Sequence, residues 1–174
     1  MSHLLVIRHA EPAVKGVLLG RTDPPLSPGG RRAAAQALDN IVVSAVYSSP
    51  LRRCTETAAV IPAPLVILDD LVEIAMGEWD GLVWAEAERR YPRVAAAKSA
   101  DWFGVTPPGG EDWSAFARRI RSALDRIRRG PLPAAVVTHV AVCAVIAREL
   151  AGADPVSFNQ GYCEIRRYEL PSRS

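Results

Sequence analysis

Two histidines and two arginines stand where their side chains can reach a ligand, three of them directly after apolar stretches and one in the first turn of a predicted helix. Arg8 and His9 follow the apolar run 4–7, His139 follows the run 134–138, and Arg52 lies in the first turn of a predicted helix. Imidazole can act as a nucleophile or a general base, and guanidinium groups bind oxyanions. These side chains therefore predict chemistry on an anionic group such as phosphate.

Two other interpretations of the histidines stay open at this point. A histidine at a strand end is often a packed or hydrogen-bonded core residue, and two histidines with a carboxylate can bind zinc. The arginines favour phosphate, because fixed cations repel a metal ion. The chain contains no Walker loop, no Gly-x-Gly-x-x-Gly, no Cys-x5-Arg loop and no Gly-x-Ser-x-Gly. We expect no metal and no cofactor, and a neutral imidazole as the attacking group.

The elements that must position these residues alternate between strand and helix. Ser27 and Ser49 each precede a proline, the pattern of an N-cap followed by proline at the first helical position. The pattern predicts strands at 4–7, 45–48, 65–68, 134–138 and 164–170, helices at 28–39, 50–61 and 140–150, and a mostly helical stretch at 82–129. This order predicts an α/β fold, a three-layer α/β/α sandwich with a mostly parallel central sheet and a helical cap region.

The strand ends predict one common site. In an open parallel sheet, ligands bind in the crevice outside the carboxyl ends of the strands, and both His9 and His139 follow such ends. The helix that begins at Val140 adds free backbone N–H groups and the positive end of its dipole. We expect an anion site at this edge of the sheet.

Length and composition bound the class of protein. The chain has 174 residues, 49% of them hydrophobic and 23% charged, which predicts one globular domain over residues 1–174 with a helical subregion at 82–129. A net charge of +2 gives no indication of nucleic-acid binding, and no apolar run is long enough for a membrane span. The first apolar run has only four residues before Arg8, so we expect no signal-peptide core. Three cysteines without a Cys-x-x-Cys pair are typical of a reducing compartment, so we expect a soluble cytoplasmic protein.

Five blocks of the sequence, in order, resemble the histidine phosphatase superfamily, the phosphoglycerate mutase-like proteins. The second helix region is similar to the family's Ser-Ser-x-x-x-Arg-x-x-x-Thr-Ala stretch, and the first strand ends in a variant of its Arg-His-Gly signature. The blocks are residues 5–11, 20–27, 47–58, 71–81 and 136–139. Within the superfamily, the short length and the segment 107–111 look like the α-ribazole phosphatase branch.

The resemblance implies a role for each matching residue. His9 would be the nucleophile that takes the phosphoryl group. Glu73 would protonate the leaving oxygen and later help to activate water. The groups that would bind the phosphoryl oxygens are Arg8, Arg52, His139, Val140 and Arg21.

The sequence also departs from the family pattern. Ala10 and Val140 stand where the family has glycine, and the loop from His9 to Gly20 is shorter than in typical mutases and lacks their Asn. The short loop disfavours a mutase. Ala10 is tolerable provided that its backbone dihedrals are ordinary.

The resemblance thus implies a phosphate monoester hydrolase that acts through a phosphohistidine on a small molecule, with α-ribazole 5′-phosphate as the candidate substrate. The alternatives are a broad phosphosugar or phosphoprotein phosphatase, a phosphoglycerate mutase-like enzyme, and, from a different class, an inactive module that binds a phosphorylated ligand. Among the tryptophans, Trp79 and Trp113 are expected in the core, and Trp84 and Trp102 are candidates for the pocket mouth.

Overall fold

The strands form one five-stranded sheet in the order β3-β2-β4-β1-β5, in a computed structural model that describes residues 2–170. The strands are β1 (Ser2–Arg8), β2 (Ala45–Ser48), β3 (Leu65–Ile67), β4 (Ala134–Thr138) and β5 (Ile165–Leu170). The first four run parallel, and β5 pairs antiparallel with β1 at one edge. The predicted mostly parallel sheet is confirmed.

Helices cover both faces of this sheet. They are α1 (Pro28–Leu38), α2 (Arg52–Ala58), α3 (Trp84–Arg90), α4 (Pro92–Ala100), α5 (Trp113–Arg129) and α6 (Val140–Ala151), with 3₁₀ turns at Asp69–Leu71 and Gly77–Trp79. Within residues 2–170, none of these helices is long and apolar enough to cross a membrane.

The alternation of side chains along the strands divides the core into two layers. Val6 and Val136 pack with α5 and α6 on one face, whereas Ile7 and Val137 pack with α1 and α2 on the other. Phe116 of α5 is fully buried in the first layer, and its truncation to alanine would cost about 3–5 kcal/mol of stability. The three-layer α/β/α arrangement follows from these two buried faces.

A third apolar cluster forms the cap beside the sheet. Trp79 is fully buried there against α3 and α4, as predicted for a core residue. The predicted helical stretch 82–129 is interrupted at residues 101–112, because α4 ends at Ala100 and α5 begins only after its N-cap Asp112. The interruption places Trp102 and Phe103 beside Glu73 and the first residues of α6, the helix that follows the carboxyl end of β4.

Helix α2 begins at Arg52, two residues later than the serine–proline pattern predicts. Its N-cap is Leu51, and no side chain caps it. The Ser49 hydroxyl lies instead 2.9 Å from Nε2 of His139. Ser49 lies two residues before the N-cap Leu51, and its hydroxyl also accepts from the Leu51 N–H at 3.4 Å, so the predicted serine cap was wrong.

Candidate active site

The ends of β1 and β4 bring the two histidines together. The strands are neighbours with Arg8 paired to Thr138, and the backbone N–H of His9 donates to the Thr138 carbonyl at 2.8 Å. The ring centroids of His9 and His139 are therefore only 5.2 Å apart. The crevice outside these strand ends is the expected place for a ligand in such a sheet.

The imidazole of His9 is buried and fixed in one tautomer. Its Nδ1 lies 2.7 Å from the carbonyl oxygen of Ala10, so Nδ1–H is the donor and Nε2 keeps its lone pair. Burial, reinforced by the positive charges of Arg53 and Arg8, lowers the pKa of His9 to about 3. Near neutral pH this side chain is a neutral imidazole with a free nitrogen, the form that attacks an electrophile.

His139 is engaged at both ring nitrogens. Nε–H of Arg53 donates to Nδ1 of His139 at 3.3 Å, which leaves Nε2–H to donate to the Ser49 hydroxyl at 2.9 Å. Burial, together with the neighbouring His9 and Arg53, holds the pKa of His139 well below its usual range. His139 thus stands in the cluster as a neutral ring that orients a guanidinium.

The arginine that α2 contributes is Arg53, not Arg52. The Arg52 side chain is 57% exposed and pairs with Glu56 at 3.2 Å, so the expectation that it points into the crevice was wrong. Arg53 is 1% exposed and donates to His139 and to the carbonyls of Thr22 and Gly20. Consecutive helical residues point about 100° apart, so only one of the two can face the site.

The correct arginine could have been identified from the sequence. Counted from Ser48, the Ser-Ser-x-x-x-Arg pattern puts its arginine at position 53. Arg53 also stands four residues before Thr57, whose hydroxyl donates to the Arg53 carbonyl and accepts from the N–H of Ala10. We call Arg8, His9, Arg53 and His139 the His–Arg cluster.

Arg8 is held by residues 160–162, a segment that no sequence pattern singled out. Its Nη1 donates to the carbonyl of Gln160 at 2.8 Å, and its guanidinium carbon lies 4.1 Å from the ring centre of Tyr162. The Nε of Arg8 is buried and has no hydrogen-bond partner within residues 2–170. A buried donor left open costs free energy unless a ligand fills it, which suits an oxyanion site.

Glu73 stands beside the cluster with its carboxyl buried. The backbone N–H groups of Ile74 and Ala141 donate to its two oxygens, at 2.9 and 3.3 Å. Burial raises the pKa of Glu73 despite these bonds and the nearby arginines. The N-terminal turn of α6 therefore binds the carboxyl through Ala141, while Val140 lies at the first helical position, as expected.

Arg21 lies outside the cluster. Its side chain is 48% exposed, and its one ion pair within residues 2–170 is with Glu111, at 3.8 Å, so the expectation that it binds phosphate finds no support in its position. Glu111 instead forms a two-pronged pair with Arg119, at 2.7 and 2.8 Å. Arg119 also donates to the carbonyl of Glu73, so it supports the backbone that carries the acid.

An apolar cleft opens next to Glu73, with a cavity volume of about 110 Å³. Its wall includes Glu73 itself and the first residues of α6. We call it the aromatic cleft, and its other main lining residues are Met76, Lys98, Trp102, Phe103, Val105 and Trp113. Trp102 thus lines a pocket as expected. Trp84 does not line this cleft but packs against Trp102, with ring centres 5.9 Å apart.

Lys98 is the charged residue buried in this wall. The side chain is 5% exposed, and its ammonium donates to the carbonyls of Val105, at 2.7 Å, and Trp102. Burial lowers the pKa of Lys98, although the charge of Asp101 acts in the opposite direction. Within residues 2–170, Lys98 forms no ion pair with a carboxylate at 4.0 Å or less. An ammonium has three donors, so one remains for a ligand.

The backbone near His9 tolerates the alanine that replaces glycine. Within residues 2–170, Cys163 is the one non-glycine residue with a positive φ, so Ala10 has ordinary dihedrals. The same described range contains no group of three or more His, Cys, Asp and Glu side chains that could hold a metal ion. The donors gathered here are cations and N–H groups, which suit an anion.

Comparison with known proteins identifies the family. The family model described as the histidine phosphatase superfamily, branch 1, matches residues 4–172. A bifunctional protein of Mycobacterium tuberculosis is 35% identical over 84% of the chain, but the match spans only 43% of that protein. The chain therefore covers less than half the length of this relative.

Two further relatives match over most of their length. Phosphoserine phosphatase 1 of Hydrogenobacter thermophilus is 29% identical over 98% of the chain and 86% of its own length. The crystal structure of the α-ribazole phosphatase from Shigella flexneri superposes with a TM-score of 0.88, covers 97% of this chain and 91% of that one, and is 23% identical. At that identity the structural likeness shows the fold.

Proposed function

This chain belongs to the histidine phosphatase superfamily, branch 1, and we propose that it hydrolyses phosphate monoesters through a phosphohistidine on His9. One observation carries the proposal. The Nδ1–H of His9 is fixed on the Ala10 carbonyl, so that Nε2 is a free nucleophile inside a cluster of cations. Binding of a phosphorylated ligand alone would have no use for a buried acid such as Glu73.

In the first step, Nε2 of His9 attacks phosphorus and the bond from phosphorus to the alcohol oxygen breaks. Glu73, whose protonated form is favoured by burial, gives its proton to that oxygen, and the free alcohol leaves. The guanidinium of Arg53, fixed by three hydrogen bonds, keeps two of its five N–H groups for the phosphoryl oxygens. Arg8 offers its open Nε–H.

In the second step, water attacks the phosphohistidine from the side the alcohol has left. The Glu73 carboxylate takes a proton from the water, the bond between nitrogen and phosphorus breaks, and neutral His9 and inorganic phosphate are formed. His139 orients Arg53 throughout, and a bound phosphate dianion would raise the pKa of its ring.

For the substrate, the first candidate is α-ribazole 5′-phosphate. The aromatic cleft begins at Glu73, where the leaving oxygen must lie, and offers the faces of Trp102 and Phe103 to a flat apolar group on the alcohol. The relative from Shigella flexneri carries that activity in its name. A broad phosphosugar or phosphoprotein phosphatase would need a more open and more polar cleft.

A second candidate class is favoured by Lys98. Its ammonium lines the cleft without a carboxylate partner, so it could bind an acidic group on the alcohol, as in phosphoserine, the substrate named for the relative from Hydrogenobacter thermophilus. Lys98→Met would then weaken binding of O-phosphoserine more than binding of α-ribazole 5′-phosphate.

The test is a panel of monoesters: p-nitrophenyl phosphate, α-ribazole 5′-phosphate, O-phosphoserine and 3-phosphoglycerate. We expect phosphate release that His9→Ala reduces by about 10³-fold or more. We also expect conversion of 3- to 2-phosphoglycerate to be far slower than the best hydrolysis, since the short loop after His9 lacks the Asn expected in mutases. Activity of His9→Ala within tenfold of wild type, or mutase activity that rivals hydrolysis, would overturn the proposal.

A further inference from the structure

One side chain outside all the family-like blocks contacts two members of the His–Arg cluster. The Tyr162 ring centre lies 4.1 Å from the guanidinium carbon of Arg8 and 5.6 Å from the ring centre of His9. The residue is 41% exposed, so its ring covers the cluster from the solvent side. Exposed aromatic side chains gain little by packing alone, and this one packs on a cation.

The segment that carries Tyr162 is tied to β1 at several points. The N–H of Cys163 donates to the Arg8 carbonyl at 3.1 Å, and the buried side-chain amide of Gln160 donates to the carbonyls of Val6 and Glu164, at 3.0 and 2.8 Å. Cys163 itself has a φ of 57°, a conformation that disfavours side chains and persists only where surrounding contacts hold it. The position of Tyr162 is therefore set by the fold.

These contacts restrain the Arg8 guanidinium in two directions. The hydrogen bond from Nη1 to the Gln160 carbonyl fixes it within its plane, and the Tyr162 ring blocks rotation out of that plane. The Nε–H of Arg8, which has no hydrogen-bond partner within residues 2–170, then points in one fixed direction, as an oxyanion site requires.

We infer that Tyr162 is a positioning residue, which holds Arg8 and His9 in the geometry for phosphoryl transfer through the face of its ring and not through its hydroxyl. The inference rests on the proposed phosphohistidine reaction. It predicts that an aromatic ring at position 162 is sufficient and that an aliphatic side chain of similar size is not, because only a ring face attracts the guanidinium.

The test compares Tyr162→Phe, Tyr162→Leu and Tyr162→Ala with wild type and with His9→Ala as a blank. For p-nitrophenyl phosphate we expect kcat of the Phe variant within twofold of wild type, and kcat of the Leu and Ala variants lower by about tenfold, with similar melting temperatures. Full activity of the Ala or Leu variant would overturn the inference, and so would a Phe variant as slow as the Ala variant.

Two further readouts separate positioning from a general loss of structure. His9 faces Arg8, Arg53 and His139, with Glu73 nearby. Removal of the Tyr162 ring admits water to His9 and should therefore raise its pKa. The acid limb of the pH profile of kcat/KM should then move to higher pH in the Ala variant but not in the Phe variant. Titration with inorganic phosphate tests Arg8 without turnover. Weaker phosphate binding by both the Leu and the Ala variants, with the Phe variant like wild type, would support the inference even if no monoester were hydrolysed. Absence of hydrolysis would then defeat only the proposed reaction, whereas equal phosphate binding by all variants would overturn the inference.

Discussion

The His–Arg cluster and the aromatic cleft meet at Glu73, yet they are built differently. The cluster stands on the ends of β1 and β4 and the start of α2, and hydrogen bonds to backbone carbonyls fix Arg8, His9 and Arg53. The cleft is lined by the turn 101–105 between two helices and depends on ring packing and on one buried ammonium, Lys98. Rigid strand ends suit a reaction common to many substrates, and a turn suits the choice among them.

This contrast predicts two kinds of mutational effect. Changes in the cluster should lower kcat for every monoester, because they remove interactions with the transferred phosphoryl group. Changes in the cleft should alter KM in a way that depends on the alcohol. Glu73 belongs to both regions, and its effect should depend on the leaving group.

The largest expected effect is that of Glu73→Gln on a poor leaving group. A general acid contributes about 10²–10⁴-fold where the departing alkoxide is basic, and little where the group already leaves easily. The variant should therefore lose far more of its kcat/KM, which reports the first step, on an alkyl phosphate than on p-nitrophenyl phosphate. Equal losses of kcat/KM on both would mean that Glu73 is not the acid of the first step.

The adjacent arginines offer a matched pair. Arg53→Ala should lower kcat by about 10²–10³-fold on all substrates, the usual cost of removing one preorganised donor. Arg52→Ala should remain within twofold of wild type, because that side chain is exposed and pairs with Glu56, away from the His–Arg cluster. The kcat values of the two variants on p-nitrophenyl phosphate decide which arginine acts on the phosphoryl group. A larger loss for Arg52→Ala would reverse our assignment.

Cleft variants should move KM and leave the chemistry intact. Trp102→Ala removes a wall of the aromatic cleft, so KM for a ring-bearing alcohol should rise by about tenfold, while kcat for p-nitrophenyl phosphate changes less than threefold. Trp84→Ala is the control, since Trp84 packs on Trp102 without lining the cavity. A uniform loss of kcat on every substrate would show that the two regions are not separable.

The smallest effect concerns stability against pH. His9 has a folded pKa of about 3 and an ordinary pKa of 6.5, so between these values the unfolded chain binds a proton that the folded chain excludes. The free energy of unfolding should thus fall as pH drops below 6.5, by about 1–2 kcal/mol for His9 at roughly pH 5. Glu73 has the opposite effect on the free energy of unfolding. Its pKa is raised in the folded state, so the stability of its buried neutral form is lost as pH rises through that pKa.

Urea unfolding near pH 7 and pH 5 measures this dependence. His9→Gln removes one of two such groups, since His139 is also held neutral by burial, and should therefore reduce the slope on the acid side without abolishing it. An identical slope in the variant and the wild type would mean that His9 is not held neutral by burial.

The sequence predicted the cluster better than the cleft, and the reason is physical. Buried strands are apolar throughout, so the residue at which each run stops, such as His9 or His139, is visible in the chain. The choice between Arg52 and Arg53 depended on where α2 begins, and the helix begins two residues later than the serine–proline pattern predicts.

The rest depends on tertiary contacts that no local pattern encodes. Lys98 lies in a helix whose charged residues look like a solvated face, but the turn 101–105 folds back over it. Tyr162 and Gln160 belong to a loop without periodicity, and their contacts with Arg8 span more than 150 residues of sequence.

The most direct measurement is to trap the phosphoenzyme during turnover of p-nitrophenyl phosphate and to map the phosphate. We predict one phosphate on His9, labile to acid and stable to base, which is absent in His9→Ala and accumulates in Glu73→Gln because water activation is slowed. A phosphate on serine, on His139 or on no residue while His9 remains essential would contradict the assignment of His9 as the nucleophile.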